Sequence, residues 1–136
     1  MTIRLAKADE ANEIANIYIA SFKSALTSVQ LAHTDDEIRD WFEKVFVPKG
    51  GTWVGDDAAK LVGFMSLDGD MLEELYLAPD ALGVGVGSAL MEKAKQLSPA
   101  GLKTYTFQVN TLARKFYEKH DFTVVGLVES ESTTKL

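Results

Sequence analysis

Apolar positions along this chain keep two rhythms, and the switches between them mark its elements. Thr2 to Leu5 has the extended pattern of a short first strand. Asp9 offers an N-cap, and Ile14, Ile17, Tyr18 and Phe22 recur at helical spacing, predicting a helix to about Phe22 with that stripe inward. Thr34-Asp35-Asp36-Glu37 is a capping box, in which the threonine and glutamate side chains each satisfy the other residue's backbone N–H. Behind it, Ile38, Trp41, Phe42, Val45 and Phe46 predict a second helix, closed by Pro48-Lys49-Gly50-Gly51. This aromatic stripe reads as core, with one edge available to line a substrate pocket.

From there the period shortens to two. Thr52 to Gly55, Lys60 to Leu67 and Met71 to Leu77 read as strands, and Asp68-Gly69 favours a hairpin between the last two, so an antiparallel meander is expected. Val86, Ala89, Leu90, Ala94 and Leu97 then share one face of a third helix. After the turn Ser98-Pro99-Ala100-Gly101, Lys103 to Val109 reads as a strand, Thr111 to Lys119 as a helix and Thr123 to Val128 as the last clear strand. The order β-α-α-β-β-β-α-β-α-β predicts an α/β fold of the mixed α+β kind.

Composition narrows the function. With 136 residues, 46% hydrophobic and 25% charged, the expectation is one domain, residues 1–136, with a single sizeable core. The sequence has no cysteine, which excludes disulfides, thiolate metal sites and a cysteine nucleophile, and its two histidines are too few for a typical zinc cluster, so no metal is expected. A net charge of −6 argues against nucleic acid as a partner. No apolar run is long enough to span a membrane and no signal-peptide pattern follows Met1. These features fit a cytoplasmic protein acting on a small molecule, and the acidic balance favours a cationic one.

The most informative stretch is the passage from the third meander strand into the third helix, Leu75 to Lys95, which carries Gly83, Gly85 and Gly87. Glycines at such a junction let a ligand approach the backbone, and the N–H groups and dipole of the following helix favour an anion, most often a phosphate. A dinucleotide fingerprint would need glycine where Ser88 stands and an acidic residue about 20 positions on, but none occurs between Glu92 and Glu118. A P-loop would need a lysine after the last glycine, and Ser88 follows Gly87 instead. The G-V-G-V-G-S-A-L run resembles the pyrophosphate loop of the GCN5-related N-acetyltransferases, the GNAT family, which bind acetyl-coenzyme A.

A second motif supports the likeness. Residues 107–122, FQVNTLARKFYEKHDF, resemble that family's N-x-x-A-x-x-F-Y-x-x-x-G-F, with Asn110, Ala113, Phe116, Tyr117 and Phe122 in register and Asp121 where glycine is usual. The resemblance implies a central, mostly antiparallel sheet of six or seven strands flanked by about four helices. It implies an acetyl-coenzyme A-dependent transfer of an acetyl group to a primary amine of a small molecule or peptide by direct attack. The alternative is a non-catalytic acyl-coenzyme A-binding sensor of the same fold.

The likeness also gives each position a role. Leu82, Gly83, Val84, Gly85, Val86, Gly87 and Ser88 would hold the pyrophosphate, chiefly through backbone N–H groups. Backbone N–H groups of Leu75, Tyr76 and Leu77 would face the thioester oxygen. Asn110 and Ala113 would meet the pantetheine arm, with Phe116 beside them. Tyr117, with an ordinary pKa of about 10, would protonate the departing thiolate. For the base that receives the amine proton, strand alternation puts Glu73 on the face of Met71 and Leu75, ahead of Glu74, and His33 is a weaker candidate. Where the family commonly has Gln or Arg and a basic residue, this chain has Leu82 and Val84. Its tail, Glu129 to Leu136, is poor in strand formers; an open sheet edge there would favour a homodimer. The identity of the acceptor is not written in these motifs.

Overall fold

The meander expected over residues 52–77 forms the middle of the sheet. A computed structural model describes residues 1–25, 33–104 and 111–123. Along the chain lie β1 (Thr2–Leu5), α1 (Ala11–Ala25), α2 (Asp35–Trp41), β2 (Thr52–Asp56), β3 (Leu61–Asp68), β4 (Met71–Leu77), α3 (Val86–Leu97), β5 (Lys103–Thr104) and α4 (Thr111–Lys119). The described strands make one sheet in the order β1-β2-β3-β4-β5, antiparallel except for the parallel pair β4 and β5. This is the mixed α/β class expected. The rest of the strand predicted over Lys103 to Val109, the last strand at Thr123 to Val128 and the tail all lie outside the described residues or almost wholly so.

Local chemistry explains the entry to each element. At Thr34 the capping box forms as the sequence predicts: Thr34 Oγ1 accepts from Glu37 N–H at 3.2 Å and Glu37 Oε1 accepts from Thr34 N–H at 2.8 Å. Arg4 on β1 fastens the start of the fold. Its guanidinium donates to both carboxylate oxygens of Glu10 at 3.0 and 2.7 Å and to Asp56 Oδ2 on β2. The hydrogen bond from Arg4 holds the Glu10 carboxyl below its usual range; Asp56 is lowered first by the Ala58 N–H and then by Arg4. Glu13 of α1 accepts from Leu61 N–H at 2.8 Å, tying that helix to the start of β3.

Two apolar layers sandwich the sheet. Ile14, Ala15 and Tyr18 of α1, Ile38 of α2, Phe42, Phe46, Val54 and Phe64 fill one side. Val62, Met65, Leu72, Leu90, Met91, Ala94 and Tyr117 fill the other, beneath α3 and α4. Each fully buried side chain of this size stabilises by about 1.5–3 kcal/mol. Thr52 and Ser66, paired across β2 and β3, are buried, and among the described residues neither hydroxyl has a hydrogen-bond partner.

Two inward positions expected from the helical pattern are turned out. Past Trp41 the helix widens into a π-turn, with Val47 N–H bonded to Phe42 O at 2.9 Å, a five-residue step. The wider turn keeps Phe42 and Phe46 in the core and rotates Val45 to 47% exposure. Leu97, the last residue of α3, is 45% exposed, while Met91 takes a core position the pattern had left out.

Candidate active site between β4, α3 and α4

The three glycines of the loop divide into two roles. Gly83 and Gly85 have φ of 78° and 92°, a left-handed backbone that favours glycine, and a Cβ on either would meet nothing within 4 Å among the described residues. They give an open turn flanked by outward-facing Leu82 and Val84, the latter 72% exposed. Gly85 is the N-cap of α3, so no side chain caps the helix, and its first turn holds no acidic residue. The first-turn N–H groups therefore present an uncompensated positive pole. Gly87 differs: its backbone is ordinary, and a Cβ there would meet Phe116 Cε1 at 3.0 Å and Leu77 Cδ1 at 3.3 Å. It is glycine so that α3 can lie against β4 and α4.

Phe116, thus packed on Gly87, is the neighbour of Tyr117. The Tyr117 side chain is buried, with its ring 5.6 Å from that of Phe116 and 5.4 Å from Phe122. Burial pushes its hydroxyl up to about 12, offset in part by the nearby Thr104 hydroxyl, with the Glu74 charge adding to the rise. A phenol in that setting keeps its proton throughout the neutral range and can donate it. Asn110 lies outside the described residues, as does the side chain of Ala113.

The β4 backbone sorts the donors. Ala78 N–H bonds Val62 O at 3.0 Å, and strand alternation aims Tyr76 N–H the same way, towards β3. Leu75 and Leu77 N–H consequently aim at the opposite edge, the β5 side. Of the three N–H groups singled out in the sequence, two point away from β3.

The adjacent carboxylates of β4 are separated by a bulge. Ser66 pairs with Glu74 and Leu67 with Leu72, which leaves Glu73 as the extra residue. The bulge breaks the alternation on which the sequence expectation for Glu73 rested. Glu73 Oε1 accepts from Lys49 Nζ at 3.0 Å, and that ammonium also sits 5.4 Å from the Phe46 ring centre. Burial raises the hydroxyls of Tyr18, Tyr76 and Tyr117, and in all three the charge of Glu74 adds to the rise. Tyr18 and Tyr76 stack edge-on at 4.9 Å. His33 stands before the α2 cap, on a different element. Among the described residues, no three acidic or histidine side chains gather as a metal site, and no helix is long and apolar enough to cross a membrane.

A family model described as an acetyltransferase (GNAT) domain matches residues 48–124, which include β2 to β4, the glycine loop, α3 and α4. The chain belongs to the GNAT family. Membership makes it an acyltransferase. It is 32% identical over 139 aligned positions to the peptidyl-lysine N-acetyltransferase YjaB of Salmonella typhimurium, an alignment covering 99% of this chain and 92% of that protein. The solution structure of apo-form YjaB from Escherichia coli superposes with a TM-score of 0.73 at 30% identity, over 87% of this chain and 79% of that one. The PaiA N-acetyltransferase of Thermoplasma acidophilum, in complex with coenzyme A, superposes with a TM-score of 0.73 over 96% of this chain and 95% of that one. At 17% identity that likeness carries the fold alone.

Two features of this GNAT site were not singled out from the sequence. The environment of Glu74 depends on the bulge. The contact between Ser88 Oγ and His120 Nε2, 3.2 Å, joins residues 32 positions apart. Only the in-register second motif hinted that the end of α4 lies near the glycine loop.

Proposed function

We propose that this protein is an acetyl-coenzyme A-dependent N-acetyltransferase whose acceptor is a primary amine, with a lysine side chain of a peptide as the leading class. The observation that carries this reading is the contact of Gly87 with Phe116, which makes one rigid unit of an open amide cradle and a buried, protonated Tyr117. The cradle fits a coenzyme pyrophosphate because Gly83 and Gly85 leave their surface open and no acidic residue opposes an anion on α3. The names of the YjaB relatives support peptidyl lysine as acceptor.

Bound acetyl-coenzyme A supplies an activated acyl thioester open to attack by an amine. Leu75 and Leu77 N–H are the donors for the thioester oxygen, ready-aimed because the β3 ladder fixes the strand. Tyr117 Oη holds the proton that the departing sulfur requires. Glu74 attracts the acceptor as an ammonium and draws off its proton, directly or through water, while Glu73 holds Lys49 beside the α2 end. Leu82 and Val84 carry no charge, so backbone N–H groups and Ser88 bear the phosphate load.

The test is isothermal titration with acetyl-coenzyme A, followed by thiol release on lysine-containing peptides with wild type and Tyr117→Phe. Binding, turnover and a fall in kcat of about 100-fold or more in the variant are expected. No binding at millimolar coenzyme sinks the reading. Unchanged kcat in Tyr117→Phe removes Tyr117 as the acid.

A further inference from the structure

The strongest unassigned feature of the cradle is its link to a titratable ring. Ser88 occupies the third position of α3, where its N–H has no partner within the helix. Its Oγ lies 3.2 Å from His120 Nε2. The imidazole is partly buried and rests against the Phe116 ring, centres 4.6 Å apart, so the same aromatic that packs on Gly87 fixes the histidine. A hydroxyl has one hydrogen to give. Without a ligand, Ser88 can donate it to an unprotonated Nε2. With an anion above α3 that hydrogen is wanted by the anion, and Ser88 Oγ then needs a donor behind it.

Resting on the coenzyme reading above, we propose that His120 is a positioning residue for the coenzyme pyrophosphate. When phosphate occupies the α3 N-terminus, the ring takes a proton from solvent and donates it through Nε2–H to Ser88 Oγ, freeing the serine hydroxyl hydrogen for a phosphate oxygen. No bond other than hydrogen bonds is made or broken, and one proton enters with the ligand.

The surroundings suit such a switch. Burial, then Lys95 of α3 and Lys119 of α4, hold His120 below its ordinary value, while Asp121 and Glu92 pull the other way. Lys95 also sits 3.9 Å from Asp121. The ring is thus held towards its neutral form before the anion arrives. An opposite charge one hydrogen bond beyond Ser88 raises such a group. A pKa that rises on binding makes binding tighter as pH falls.

The experiment uses dephospho-coenzyme A, which lacks the outer monophosphate that would itself titrate near pH 6. Its Kd is measured by titration calorimetry from pH 5.5 to 8 in two buffers of different ionisation heat, for wild type, His120→Gln and Ser88→Ala. Expected are about tenfold tighter binding at the acid end, with net proton uptake, in wild type. His120→Gln retains a donor and should bind with a flat profile; Ser88→Ala should be weaker and flat. A flat wild-type profile, or a slope that survives in His120→Gln, overturns the role of His120 and leaves the coenzyme reading intact. No binding by any of the three at any pH overturns the coenzyme reading, and this inference with it.

Discussion

Gly85→Ala and Gly87→Ala differ by one methyl two residues apart, yet the structure predicts opposite consequences. At Gly85 the new Cβ has open space, so the penalty is the left-handed backbone at φ 92°, about 1–2 kcal/mol. For a chain of this size that lowers Tm by roughly 4–8 °C. The methyl also stands on the face by which a phosphate reaches the α3 N–H groups. Losing one such charge-assisted hydrogen bond, about 1.5–3 kcal/mol, weakens coenzyme binding by about 10- to 150-fold. At Gly87 the backbone is ordinary and alanine gains up to about 1 kcal/mol of helix propensity. Against that, the Cβ meets Phe116 at 3.0 Å and Leu77 at 3.3 Å, and overpacking of this kind costs about 1–3 kcal/mol. Gly87→Ala should therefore lose at most about 3 kcal/mol and displace Phe116. Thermal unfolding and titration with coenzyme A on both variants read the difference. A Gly85→Ala protein that is destabilised as stated but binds coenzyme A like wild type would refute the cradle.

Further outcomes follow from the carboxylates, the buried hydroxyls and the tyrosines. Glu74→Gln should lower kcat about tenfold or more on a lysine peptide and move the acid limb of its pH profile, whereas Glu73→Gln should leave that limb in place; the reverse result would return the base to Glu73. Thr52→Val removes a buried hydroxyl that has no partner and should raise stability by about 1 kcal/mol in urea unfolding, as should Ser66→Ala less its smaller volume; a loss in Thr52→Val would mean that a partner holds the hydroxyl. Tyr18, Tyr76 and Tyr117 are all raised by burial, so the unfolded chain releases phenolic protons first. Stability should hold to about pH 10, the unfolded value, and fall as pH rises towards 12. Tyr117→Phe should make that fall shallower in urea midpoints taken at pH 8, 10 and 11.5, and an unaltered slope would argue that Tyr117 is solvated.

What the sequence could disclose about this fold was set by the range of the interactions involved. The capping box at Thr34 and the period-two runs from Thr52 to Leu77 are local, and they form as read. The π-turn after Trp41 is not local, because the drive to bury both Phe42 and Phe46 against Phe64 widens the helix and expels Val45. The bulge at Glu73 belongs to a register between two strands, and no pattern along one strand reveals it. For the site, the glycines announced an anion, but the division between Gly85 as conformation and Gly87 as packing needed Phe116 in place. Asn110 and the side chain of Ala113 stand on the motif alone.

The bulge also bears on how the acceptor side is organised. One inserted residue lets two consecutive glutamates serve different neighbours, Glu73 bonding Lys49 and Glu74 sharing the face of Tyr76. Without it, regular alternation would send one carboxylate to each face of the sheet. A glutamate held beside Lys49 is compensated and contributes little pull on a cation. Glu74 shares the face of Tyr76, whose hydroxyl can donate a hydrogen bond to it. Under the proposed function it is this division that assigns Glu74, rather than Glu73, to the acceptor side, and the two glutamine variants separate them.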